Sequence, residues 1–388
     1  MRTTQLTQCI QKEEDEDELF QYEFDNQSEP QQNLQTPDFQ ATKQNEVHSQ
    51  ISHQAQIEQT DQYGFKSQIN LKHYKDRKTL NARVEKWRQM INEFDKQNIQ
   101  LIKERTRKGI PDGLRILAWP LLANIKKAKE TANTIQKTSK YSDFLTKNEF
   151  KFEHQIRLDV HRTFPDNINF QVSILQIQDQ TVLSESLVNV LKALSEAIPD
   201  MGYCQGLNFL TAALIMVTND ENVRILNNFE AFWILYRLMT HYNLTAKYKD
   251  PNSLYREFYI LDNLIQQYHP ITSKILKRHN IDLFYFTTEW FITLFSTALP
   301  INLFYRVFEI FLVEGEKTIF RCALAIIHYK EQKLIQLNDF ENGLQYLRSN
   351  EDLLHLDSNQ FINLMLSKYK FSKTTIQQLD QKYKKNQK

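Results

Sequence analysis

Apolar residues return every three to four positions through several long stretches of this chain, the spacing that lines one face of an α-helix. In residues 182–200, VLSESLVNVLKALSEAIPD, the positions Leu183, Leu187, Val190, Leu191, Leu194 and Ile198 share a side until Pro199 ends the run. FEAFWILYRLM at 229–239 places Phe229, Phe232, Trp233, Tyr236 and Met239 in the same way. SLYREFYILDNLIQQY at 253–268 does so with Leu254, Phe258, Leu261, Leu264, Ile265 and Tyr268. Residues 81–103 put Val84, Trp87, Met90 or Ile91, and Phe94 on one face, which predicts a lead-in helix where the folded body begins. No segment alternates in the manner of a strand, and no internal repeat is visible. The pattern predicts an all-α protein.

The first 65 residues break this pattern. They are rich in Gln, Asn, Ser and acids, with too few large apolar side chains to offset the entropy of ordering the chain, and they read as a disordered tail. They contain 13 acidic against 3 basic side chains, a net of −10, while residues 66–388 contain 34 against 45, a net of +11. The overall charge of +1 therefore hides an acidic tail on a basic body. The Lys-rich end, QKYKKNQK, reads as a solvated tail or a frayed helix.

Composition excludes several classes. An apolar fraction of 41% over 388 residues supports a sizeable core. The seven glycines form neither G-x-x-x-x-G-K-[ST] nor G-x-G-x-x-G, so the chain is not expected to hold a nucleotide by itself. Cys9, Cys204 and Cys322 are too widely spaced for a disulfide framework or a zinc ribbon, and a reducing compartment is expected. The N-terminus has no apolar segment and turns acidic at once, unlike a signal peptide. The most apolar stretch, 283–313, contains Glu289, Arg306 and Glu309 and is broken by Pro300, which fits two buried helices better than a membrane span.

Four motifs bear on chemistry. IRLDVHRTFPD at 156–166 sets Asp159 and Arg162 three apart, a spacing that by itself describes an ordinary surface ion pair on a helix. RKGIPDGLRILAWPLL joins Gly109, Ile110 and Pro111 to Arg115 and Trp119, four apart on the helix that follows, and by itself suggests a helix entry with Arg stacked on Trp. MGYCQGLNFL puts Tyr203 and Gln205 between Gly202 and Gly206, where the absence of bulky neighbours would let a partner approach the backbone. RVFEIFLVEGEKTIFRCALAIIHY sets Arg306, Glu309, Glu314, Gly315, Phe320 and Arg321 in what reads as two core helices.

In this order the four motifs resemble the TBC domain, the catalytic module of GTPase-activating proteins for Rab GTPases. The family pattern R-x-G-I-P with R-x-x-x-W is matched at Arg107 to Trp119, I-x-x-D-x-x-R at Ile156 to Arg162, and Y-x-Q-G at Tyr203 to Gly206, with EWF and FRCALAII matching later blocks. Glu309 stands where an Asp is more usual, and Leu207 where a Met is expected.

The resemblance implies an all-α fold of two helical subdomains with the site in a groove between them. It covers a TBC domain at 105–365 and does not explain the tails; composition and periodicity divide the rest into a tail at 1–65, a basic linker and lead-in helix at 66–104 and a basic C-terminal tail at 366–388. It further implies an activator acting in trans on a Rab-type GTPase in its GTP form, in membrane traffic. Arg162 would supply a cation to the phosphoryl oxygens and Gln205 would orient the attacking water. Asp159 would orient a neighbouring arginine, with Arg115 as the candidate, while Tyr203, Gly206 and Trp119 support the site. GTP and Mg would be held by the partner, with no cofactor or metal of the chain's own. The expected setting is cytoplasmic, with peripheral contact to anionic endomembranes and no transmembrane segment.

Three other readings compete. A TBC-like scaffold would bind a GTPase without activating it. A nucleic-acid binder is suggested only by the basic body, which lacks a stacking platform or reading motif. A hydrolase built on Cys204, His161 and Asp159 lacks an oxyanion motif, and Cys204 reads more simply as a small packed residue.

Overall fold

Several helices begin where the sequence supplies a side-chain acceptor for backbone N–H groups that have no partner within the helix. Asn98, Asp339, Asp357 and Ser372 accept from the amides of Gln100, Asn342, Gln360 and Thr375 respectively. The computed structural model describes residues 61, 63–65, 77–168, 170, 178–217, 228–242 and 244–387. Among these residues the structure is helical, and its one β-bridge is an isolated pair, Phe65 with Asn167.

The helices are α1 (Arg77–Asn92), α2 (Ile99–Lys108), α3 (Arg115–Leu122), α4 (Ile125–Gln136), α5 (Glu153–His161), α6 (Gln178–Ala197), α7 (Leu207–Ile215) and α8 (Asn228–His241). They continue as α9 (Leu244–Lys249), α10 (Tyr255–Tyr268), α11 (Pro270–Arg278), α12 (Phe284–Thr293), α13 (Ile301–Glu314) and α14 (Glu316–Leu334). The last three are α15 (Phe340–Arg348), α16 (Ser358–Lys368) and α17 (Lys373–Asn386). A front group gathers around α6, which packs on α5, α7 and α8. A rear group gathers around α14, which touches α10, α11, α13, α15, α16 and α17. The groups meet where α3 touches both α8 and α13, and where α7 touches α12.

Aromatic side chains form much of the joint. Trp119 on α3 is fully buried, its ring meeting Tyr305 and Phe308 of α13 edge-on at centroid distances of 5.2 and 5.1 Å. Such edge-to-face pairs contribute about 0.5–1.5 kcal/mol each beyond their burial. The stretch 283–313 becomes α12 and α13, two buried helices on either side of Pro300. No helix of the described residues is long and apolar enough to cross a membrane.

Three expectations need correction. The lead-in helix is broken: Gln97 and Asn98 are extended, Asn98 caps a new helix, and α1 and α2 result. Residues 366–387, expected as a basic tail, pack on the body instead. Tyr369 and Phe371 are buried, and Arg321 of α14 donates to both of their carbonyls at 2.9 Å. α17 then docks on α10, burying Ile376 and pairing Asp380 with Arg256 at 2.7 Å. At the other end, residues 61 and 63–65 of the expected N-terminal tail belong to the folded body, with Tyr63 only 2% exposed. Residues 1–60 and 66–76, parts of the expected tail and basic linker, lie outside the described residues.

Candidate functional site

Arg162 is the residue at which α5 stops. Its backbone (φ −104°, ψ 5°) leaves the helix, and its amide donates to the Asp159 carbonyl at 3.2 Å. The guanidinium donates through Nη2 to Asp159 Oδ1, its one side-chain partner among the described residues, and the side chain remains 56% exposed. Asp159 is almost wholly buried, and its other oxygen, Oδ2, accepts from the Tyr203 hydroxyl at 2.6 Å. Burial first, and the bond to Asp159 second, push the Tyr203 phenol well above its ordinary pKa, so it stays a donor at any physiological pH. One buried carboxylate thus ties the arginine to the Tyr-Cys-Gln-Gly turn.

A second tie runs parallel to the first. Thr163 Oγ1 donates to the Asp159 carbonyl at 2.7 Å and accepts from Asn208 Nδ2 at 2.8 Å, while Asn208 Oδ1 accepts from the Gly206 amide at 2.9 Å. Thr163 and Asn208 were not among the residues singled out from sequence. A lone Asn in the apolar run of α7 was the available signal, because such a buried amide must find partners.

Gln205 sits at the outside of this turn and is exposed. Its glycine neighbours have positive φ, 64° at Gly202 and 107° at Gly206. A Cβ at Gly202 would lie 2.5 Å from the Phe152 ring, and one at Gly206 2.5 Å from Ile292 Cγ2. The space these glycines provide is therefore taken up by the chain's own side chains, not left open for a partner as the sequence suggested. Its effect is to seat the turn against α5 and α12.

Arg115 is not oriented by Asp159. It is buried on α3, donates to Glu309 Oε1 at 2.6 Å and to the Tyr63 hydroxyl at 2.9 Å, and pairs with Asp112. It lies over the Tyr305 ring at 5.2 Å, not on Trp119. Burial disfavours its charge, but Glu309, Tyr63 and Asp112 outweigh this and raise its pKa well above the ordinary value. Glu309, given no role in the sequence reading, is the fully buried counter-charge, and it also accepts from the Ile110 amide at 3.4 Å. Arg107 completes the anchoring with a two-pronged pair to Glu314 at 2.6 and 2.9 Å. The R-x-G-I-P and R-x-x-x-W residues thus pin α2 and α3 to α13.

Cys204 does not form a nucleophilic set. Its thiol donates to the Tyr248 carbonyl at 3.2 Å, burial pushes its pKa up, and His161 is exposed.

Known proteins place this arrangement in context. The sequence profile of the Rab-GTPase-TBC domain matches residues 112–335. The chain is similar to the Rab GTPase-activating protein tbc-11 of Caenorhabditis elegans, with 33% identity over 269 residues, covering 68% of this chain and 27% of that protein. It is similar to the growth hormone-regulated TBC protein 1-A of Danio rerio, with 30% identity over 238 residues, covering 61% of this chain and 62% of that one. The chain thus spans less than two thirds of either relative. Among solved structures it resembles in fold the Chlamydomonas flagellar RabGAP TBC domain, at a TM-score of 0.61 and 24% identity over 80% of this chain and 99% of that one. It also resembles the Ypt/Rab-GAP domain of Gyp1p, at a TM-score of 0.57 and 18% identity over 78% of this chain and 99% of that one.

Proposed function

The chain belongs to the Rab-GTPase-TBC domain family, and from that premise we propose that it accelerates GTP hydrolysis by a Rab-type small GTPase in its GTP form, acting in trans in the cytoplasm. GTP and its magnesium ion would be held by the GTPase. Such a GTPase is slow because it lacks a cation for the charge developing on the phosphoryl oxygens and a well-oriented attacking water. Arg162 is the residue we assign to the first task and Gln205 to the second.

The observation that supports this reading best is the split use of the Asp159 carboxylate, one oxygen on Arg162 and the other on Tyr203, two residues before Gln205. A guanidinium stays charged and presents donors on several edges. Asp159 occupies one Nη group, and the other donors have no protein partner among the described residues. An exposed arginine held by one edge can enter a phosphate site with little ordering left to do. The same carboxylate fixes the turn bearing the exposed amide of Gln205, so both groups approach the partner in a set relation.

The test is single-turnover hydrolysis with a panel of GTP-loaded Rab proteins and the full chain. Acceleration of at least one member, lost in Arg162→Ala, is the expected result. Binding without acceleration would make the protein a GTPase-binding scaffold instead.

A further inference from the structure

We infer that residues 61 and 63–65 form a positioning strap for the loop that presents Arg162, an inference that rests on the function proposed above. The loop leaves α5 at Arg162 and is made in an unfavourable way. Phe164 has φ +46°, in the left-handed region that bulky side chains avoid, and it precedes Pro165, which further disfavours a helical-type backbone at that position. A conformation of this kind costs about 1–3 kcal/mol and persists only where neighbouring structure enforces it.

The enforcing contacts come from two sides. On the inner side, Thr163 is bonded to Asn208, and the Phe164 ring meets Phe209 edge-on at 5.4 Å. On the outer side lies the strap. The Phe65 ring meets Phe164 edge-on at 5.4 Å, the Ile168 amide donates to the Gly64 carbonyl at 2.9 Å, and Asn167 Nδ2 donates to the Tyr63 carbonyl at 2.9 Å. The strap is itself folded tightly. Asp61 Oδ1 accepts from the amides of Tyr63 and Phe65 at 2.9 and 3.0 Å, and the Asp61 amide donates to the Phe65 carbonyl at 2.8 Å. Its anchor is the Tyr63 side chain, which accepts from Arg115 and meets the Tyr305 ring edge-on at 5.1 Å.

The strap therefore joins the loop after Arg162 to the Arg115–Glu309 pair, a connection that neither motif makes by itself. Phe65 and Tyr63 are positioning residues. They act on Arg162 through Phe164 and Asn167, and nothing requires them to touch the GTPase. Removing the Phe65 ring takes away the outer support of Phe164 and lets the loop relax, which moves the backbone that bears the arginine. Displacement of a catalytic group by about 1 Å costs on the order of 10²-fold in rate.

The test uses the full chain as wild type, Phe65→Ala, Phe65→Tyr and Arg162→Ala. Two quantities are read: amide hydrogen exchange over residues 163–168 in the free protein, and the maximal single-turnover rate with its half-saturating activator concentration. Phe65→Ala is expected to raise exchange in 163–168 but not in α7, and to lower the maximal rate by roughly 10- to 100-fold with half-saturation changed less than about threefold. Phe65→Tyr restores both, and Arg162→Ala lowers the rate without raising exchange. Unchanged exchange over 163–168 in Phe65→Ala overturns the strap whatever the kinetics. Should Phe65→Ala not fold, Phe65→Leu, which retains the bulk but not the ring edge, is read in the same way. Because exchange needs no GTPase, a wild-type protein that accelerates no Rab overturns the functional reading separately.

Discussion

Asp159 and Tyr203, 44 residues apart in the chain, share a 2.6 Å hydrogen bond in which the phenol donates to the carboxylate oxygen that Arg162 leaves free. Tyr203→Phe removes that donor and leaves Oδ2 buried with one partner fewer, a loss of about 1–3 kcal/mol. Asp159→Asn has the larger effect on catalysis, since an amide can still accept from Tyr203 but carries no charge for Arg162. Single-turnover rates measured beside melting curves check the order. A Tyr203→Phe rate below that of Asp159→Asn at equal foldedness would count against the split-carboxylate arrangement.

Arg162→Lys is expected to be nearly as inactive as Arg162→Ala. An arginine finger contributes roughly 10³ to 10⁵ in rate, or about 4 to 7 kcal/mol of barrier, and lysine cannot span two phosphate oxygens with a planar fork. Since the side chain is more than half exposed, the melting temperature should stay within a degree or two. A lysine variant with near-normal activity would sink the assignment.

Gln205 is tested best from the partner's side. If it orients the water in trans, a GTPase whose own switch glutamine is replaced by leucine is still turned over by this protein, while Gln205→Ala loses at least about tenfold on the unmodified GTPase. A leucine-bearing GTPase that stays locked with GTP would reduce Gln205 to a turn residue.

The Arg115–Glu309 pair and Trp119 are expected to act through stability. Arg115→Met strands a buried carboxylate and costs about 3–5 kcal/mol, and Trp119→Ala costs a similar amount, about 3–5 kcal/mol, through the cavity it leaves. Urea unfolding is the measurement. A normal midpoint for either variant would show that the α2–α3–α13 anchoring has been overestimated.

Cys204→Ala is expected to leave GTPase activation intact, and iodoacetamide is expected to modify Cys204 slowly at neutral pH. Burial keeps the thiol protonated, and its proton is committed to the Tyr248 carbonyl. Fast alkylation accompanied by loss of activity would reopen a direct role for the sulfur.

Sequence reading succeeded where one helix face carries the information. The apolar stripes of α6, α8 and α10 are periodic enough that their helical state needs no tertiary knowledge. It failed where a few residues are outvoted by their neighbours. Tyr63 and Phe65 sit at the end of a long polar, acidic stretch, so average composition pointed to disorder, although what decides their place is the contact each finds, Tyr63 with Arg115 and Phe65 with Phe164. In α17, Ile376, Asp380 and Tyr383 form a helical stripe among lysines that only α10 makes meaningful. The partner of Asp159 was open for the same reason. Spacing offered Arg162 as a neighbour, the family resemblance offered Arg115 as a candidate, and only the distant Glu309 shows why Arg115 is already committed.

The 194 residues that separate Arg115 from Glu309 also set a schedule for the ribosome. At roughly 5 to 20 residues per second, the carboxylate emerges about 10 to 40 s after the guanidinium it will neutralise. Throughout that interval Arg115 has Asp112 and Tyr63 beside it but lacks its fully buried counter-charge, so its burial is less favourable than in the finished fold. Arg107 waits longer still, with 207 residues to be made before Glu314 appears. The seam where α3 meets α13 therefore cannot mature until α13 has been made. Nascent chains stalled before α13 would display Trp119, which Tyr305 and Phe308 cover in the finished fold, as client surface for chaperones.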